Sequence, residues 1–163
     1  MLPEELKNHY ANDSRIQSIA GRIKRKQITD LESGGNRITY HLKGSPGSFS
    51  SLLMGMIYNL NHTPQLIIAN TKEDAAYIHN DISHILDKTE PLILVDSFKK
   101  PGAYTEQLNS QVQLRTEVLN RIANNPVKND IVVTYPEALI EKVISVDFIK
   151  KSSINIVLHE QLD

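Results

Sequence analysis

An α/β fold in three layers, with a mostly parallel sheet and helices on both faces, is what the sequence predicts. Three observations predict it. Short runs of aliphatic and β-branched residues alternate with longer stretches at helical spacing, the pattern of βαβ units. The glycine-bounded segment Gly44-Ser45-Pro46-Gly47 falls between one such run and one such stretch. A chain of 163 residues, 40% apolar and 23% charged, can close one core without covalent staples. Right-handed crossovers then put helices on both faces of the sheet.

The elements follow in order. Residues 1–35 read as a peripheral helical segment and linker. Asp13 is placed to cap a helix that carries Ile16, Ile19, Ala20 and Ile23 on one face. Arg22, Lys24, Arg25 and Lys26 make a short basic cluster. It reads either as a solvated helix end favoured by the helix dipole or as a contact for nucleic acid or a partner. Glu32-Ser33-Gly34-Gly35-Asn36 breaks the pattern as a linker. The α/β domain occupies residues 36–153. Its expected strands are Arg37 to Leu42, Leu66 to Ala69, Leu92 to Val95 and Ile131 to Thr134. Its first helix is Ser48 to Leu60, with Leu52, Leu53, Met56, Ile57 and Leu60 at helical spacing. The second is Thr71 to Leu86, capped by Thr71, with a buried stripe of Ala75, Ile78, Ile82 and Ile85. The third is Gln107 to Ile122, with Val112, Leu114, Val118, Leu119 and Ile122 as its apolar residues, and Pro136 opens a short fourth. Residues 154–163 begin with a last strand, Ile154 to Leu158, which runs almost into the chain end and is expected to lead into a further domain.

Composition excludes several classes. Without cysteine there is no disulfide framework and no thiolate-bound zinc or iron–sulfur cluster. A net charge of −1 gives no global drive toward nucleic acid. The start, Met1-Leu2-Pro3-Glu4-Glu5-Leu6-Lys7, is unlike a secretory signal, and no apolar run reaches membrane-spanning length. The expected location is the cytoplasm, with no membrane partner.

The loop carries most of the functional information. A phosphate-binding loop needs glycine at each end, then lysine and a hydroxyl residue, between a strand and a helix. In Gly44-Ser45-Pro46-Gly47-Ser48-Phe49-Ser50-Ser51, Gly44 stands at the first glycine, Phe49 at the second, Ser50 at the lysine and Ser51 at the hydroxyl. Ser50 cannot neutralise phosphate charge, and Phe49 puts bulk where backbone must approach the phosphates. Ser51 could ligate magnesium only with a nucleotide present. The sequence therefore predicts a degenerate loop, comprising Gly44, Gly47, Ser48, Phe49, Ser50 and Ser51, that holds no cofactor. The alternative is a glycine-containing strand-to-helix turn with no phosphate-binding ancestry. Asp96, after Leu92-Ile93-Leu94-Val95, has the position of a magnesium ligand in phosphate-loop ATPases, or of a strand-end turn residue. His79 and His84 are off the spacing of a helical metal pair and are expected at the surface. No catalytic constellation and no metal site are predicted.

Three stretches carry a resemblance. They are Tyr40 to Ser48, Leu66 to Ala75, and Leu114-Arg115-Thr116-Glu117-Val118-Leu119 followed by Asp130 to Leu139 with its Glu-Ala-Leu turn. In this order and spacing, over about two-thirds of the chain, the sequence resembles the N-terminal region of bacterial transcription-repair coupling factors (Mfd). That region is itself similar to the first domain of the excision-repair protein UvrB. The resemblance implies a helicase-like α/β fold with a degenerate phosphate loop. UvrB keeps a complete Gly-Lys-Thr loop, so the departures at Phe49, Ser50 and Ser51 favour the coupling factor. The implied role is non-catalytic, supporting recruitment of UvrA through the domain that follows and restraining a downstream translocase. ATP, magnesium, DNA and RNA polymerase would be engaged by downstream domains. A divergent phosphate-loop ATPase and a UvrB-like repair fragment are the alternatives.

Overall fold

The computed structural model describes residues 4–33, 39–86, 88–97, 107–124, 130–143, 145 and 148. Two helices come first, α1 (Glu4–Ala11) and α2 (Ser14–Ser33). Asp13 caps α2 as its position predicts, its Oδ1 accepting from the backbone N–H of Arg15 at 2.8 Å. Ile16 and Ala20 are buried, and Ile19 and Ile23 pack beside them. Their counterpart is α3 (Phe49–Asn61), whose Leu52, Leu53, Met56 and Ile57 join this cluster together with Ile85. The Asn61 side-chain amide locks the two helices by donating to the Ala20 carbonyl at 2.7 Å.

Among the described residues the sheet has three parallel strands, β1 (Gln65–Ile68), β2 (Leu92–Ile93) and β3 (Ile131–Thr134), in the order β1-β3-β2. Gln65 pairs with Ile131, and Leu92 with Val132. Helix α4 (Lys72–Ile85) joins β1 to β2, starting at Thr71, whose Oγ1 accepts from the Asp74 N–H at 3.0 Å. Helix α5 (Gln107–Asn124) lies in the connection from β2 to β3, and α6 (Pro136–Ile140) follows β3. Alternate residues of a strand face opposite sides. Ile131 and Val133 cluster with Ala75 and Ile82 of α4, whereas Val132 clusters with Val118 of α5. Helices α4 and α5 therefore cover opposite faces, and β3 is buried at every position. On β1, Leu66 and Ile68 point to the α5 side, beyond that helix, and stay 59% and 55% exposed.

Several expectations need correction. Thr39 to Leu42, the described part of the expected strand Arg37 to Leu42, forms no strand. Alternation of Tyr40 and Leu42 supplies one apolar side, but no described strand pairs with it. Helix α2 continues through Glu32 and Ser33, where a linker was expected, because neither residue breaks a helix as the following glycines can. The expected apolar face of α5 holds only in part, with Val118 buried and Leu119 packed beside it. Val112, Leu114 and Ile122 are more than two-fifths exposed, while Arg115, Val118 and Ala123 are buried. The expected strand Ile154 to Leu158 and the side chains of Arg25 and Lys26 lie outside the described residues.

Candidate functional site

Helix α3 begins where the degenerate loop ends. Gly44 and Gly47 both take positive φ, 76° and 54°, a region open to glycine at little cost. Ser48 is the N-cap residue but its side chain caps nothing. Ser50, at the lysine position, shares a 3.1 Å hydrogen bond with Ser45 across the loop. Phe49 behaves differently from expectation. Its ring turns to the helical cluster and meets Tyr10 edge-on at 6.3 Å, so it anchors α3 to α1 rather than blocking a phosphate.

Beside this loop, at the C-terminal end of β1, lies a cleft of about 480 Å³. Gly47, Ser48, Ser50 and Ser51 form one wall, and Asn70, Asp74, Tyr77 and Asp81 another. Four loop residues are thus brought together, while Asp96 is not among the lining residues. Among the described residues the lining holds two carboxylates and no cationic side chain.

Asp96 belongs to a second place. Ligands of open parallel sheets sit where neighbouring strands send their next helices to opposite faces. Strands β2 and β3 meet this condition, since α5 packs on one face and Ala138 of α6 joins the α4 cluster on the other. Here the chain fills that crevice itself. The Tyr135 hydroxyl donates to Asp96 Oδ1 and accepts the Asp96 N–H at 3.0 Å. Lys72 Nζ stands 3.5 Å from the same carboxylate. Arg115, 5% exposed, donates to the carbonyls of Val95 at 2.8 Å, Ala138 at 3.1 Å and Glu141 at 3.2 Å. The Glu141 carboxylate faces Arg115 Nε at 3.6 Å and accepts from the Ser97 N–H at 2.8 Å and from the Ser97 hydroxyl.

The protonation states follow from these partners. Burial pushes the Asp96 carboxyl up, but the Tyr135 hydroxyl and Lys72 outweigh it and hold the group below the usual range. Burial likewise pushes Glu141 up, and the Ser97 bonds, helped by Arg115, bring it below that range. Burial, then the bond to Asp96, pushes the Tyr135 phenol up to about 12. Between the ordinary phenol value of about 10 and that raised value, the folded chain holds more protons than the unfolded one. Stability from Tyr135 is therefore complete below about pH 10 and is lost as pH rises toward 12. Urea unfolding across this range should show a steeper alkaline fall for the wild type than for Tyr135→Phe. Equal falls would contradict the assignment.

His79 is half-buried and bonds the Pro91 carbonyl at 2.9 Å, whereas His84 is exposed as expected. Among the described residues no group of three or more His, Cys, Asp or Glu could hold a metal, and no helix is long and apolar enough to cross a membrane. Sequence reasoning missed Arg115, Tyr135 and Glu141 as a network. The only local signal was an arginine among the apolar positions of α5. No protein-family model matches the sequence, and no curated protein or solved structure matches it either.

Proposed function

We propose that this chain is a non-catalytic, UvrB-like module of a transcription-repair coupling factor. It serves as a scaffold in transcription-coupled excision repair, with UvrA engaged through the domain that follows. ATP, magnesium, DNA and RNA polymerase are handled by downstream domains. The observation that supports the non-catalytic reading is the charge of the cleft beside the α3 N-terminus. Among the described residues, a nucleotide held there by a phosphate loop would meet Asp74 and Asp81 and no lysine. Like charges repel, and the missing charged hydrogen bond forfeits roughly 1.5–3 kcal/mol. The internally bonded network around Asp96 supports it further, because that carboxylate is already engaged by Tyr135 and Lys72.

Titration calorimetry with Mg-ATP is expected to give no saturable heat. A micromolar dissociation constant would overturn the non-catalytic reading and favour a divergent ATPase. Deleting the coding segment from its host is expected to abolish the preferential repair of transcribed strands. Unchanged strand bias would remove the coupling-factor assignment while leaving the charge argument intact.

A further inference from the structure

The acidic cleft has a composition that fits a ligand of its own. Asp74 and Asp81 stand two turns apart on one side of α4, about 10.5 Å along its axis. Neither carboxylate has an ion pair or hydrogen bond with another described residue. Between them Tyr77 presents its ring, 72% exposed, and Ile78 lies beside it. Met54 and Ile67 add apolar floor. A second observation is independent of the carboxylates. Ser51 lines the cleft from α3 yet is only 2% exposed, and no described residue hydrogen-bonds its hydroxyl. The Ser51 hydroxyl is reached from the cleft and is open to a ligand there.

We infer that this cleft binds a linear alkylammonium group, presented by a free polyamine or by a lysine side chain of a polypeptide. An ammonium head donates a charge-assisted bond to one of the carboxylates and another to the Ser51 hydroxyl. The methylene stem lies on Met54 and Ile78, as long cationic side chains lie on apolar surface. The Tyr77 face attracts the cation through its ring quadrupole. Anionic ligands are repelled by the same two carboxylates. This inference does not rest on the repair assignment and survives its failure.

The test uses the whole chain and two probes. Spermidine is titrated by calorimetry, and a fluorescein-labelled alanine–lysine peptide is followed by anisotropy. At least one is expected to bind saturably below millimolar, more weakly at high salt. Asp74→Asn with Asp81→Asn is expected to weaken it about tenfold or more, the scale of a lost charged hydrogen bond. Ser51→Ala weakens it severalfold. The asparagine substitutions, at exposed Asp74 and half-buried Asp81, leave the circular dichroism spectrum and melting unchanged, so lost binding is not lost folding. Binding of spermidine alone identifies the free polyamine as the source, and binding of the peptide alone identifies a polypeptide. Failure of both probes, or equal affinity in the double variant, overturns the inference.

Discussion

Arg115→Ala lowers the stability of the fold by about 3–5 kcal/mol, the cost of breaking a buried charge pair from one side. Three physical terms add. The carbonyls of Val95, Ala138 and Glu141 each lose a donor inside the protein. The Glu141 carboxylate keeps its Ser97 bonds but loses the opposite charge at 3.6 Å. The buried stem leaves a void beside α6. Urea titration should show a lower midpoint at unchanged slope, and the melting temperature should fall on the order of 10 °C. Arg115→Lys should recover little, because a point charge cannot span three carbonyls and a carboxylate as a planar fork does. A loss under about 1 kcal/mol in the alanine variant would show that the network is not a tie.

Gly55→Leu costs about 3 kcal/mol, toward the upper end for overpacking a filled core. Gly55 is buried where α3 meets α4, and a Cβ placed there would stand 2.7 Å from Ile85 Cγ2. That methyl belongs to a β-branched residue in a helix, which has one favoured rotamer and cannot swing away. Even Gly55→Ala, which gains about 1 kcal/mol of helix propensity, should come out destabilising for this reason. Ile85→Ala removes the opposing methyl, so the Gly55→Ala, Ile85→Ala double variant should be less damaged than the sum of its singles. The difference should be at least about 1 kcal/mol, as for coupled contacts. Strict additivity in chemical denaturation would mean that the helices separate freely at this point.

Much of the fold was legible in the sequence because its cause is local. Helix α3 matches the expected Ser48 to Leu60 within a residue at each end, and α4 starts after Thr71 as its capping chemistry requires. Strand β3 spans Ile131–Thr134 as read from an uninterrupted apolar run. What was not legible depends on distant partners. Arg115 is buried by carbonyls at Val95, Ala138 and Glu141, at least twenty positions away, so no helical period predicts its direction. Val112 and Leu114 looked like core residues for the same reason, since a periodic stripe says nothing of where a covering surface stops. The loop was legible as a departure from phosphate binding, but the turning of Phe49 toward Tyr10 needed α1 in place. The acidic wall was invisible because Asp74 and Asp81 meet Ser51 only once α4 packs against α3.

The strand order also sets a schedule for assembly. Strands β1 and β2 are made first, yet neither pairs with the other, and both wait for β3. Gln65 finds Ile131, and Leu92 finds Val132, only after two long connections have been closed. Such distant pairings carry a high loop-closure cost before any ladder bond repays it, which slows the search for the native state. During synthesis α1 and α2 can begin to pack onto α3 before the sheet forms, and Ile85 of α4 then closes their cluster. Until β3 leaves the ribosome, Leu66, Ile67 and Ile68 emerge as an unpaired β-prone run. A nascent chain paused in that interval is therefore the species that most needs chaperone protection.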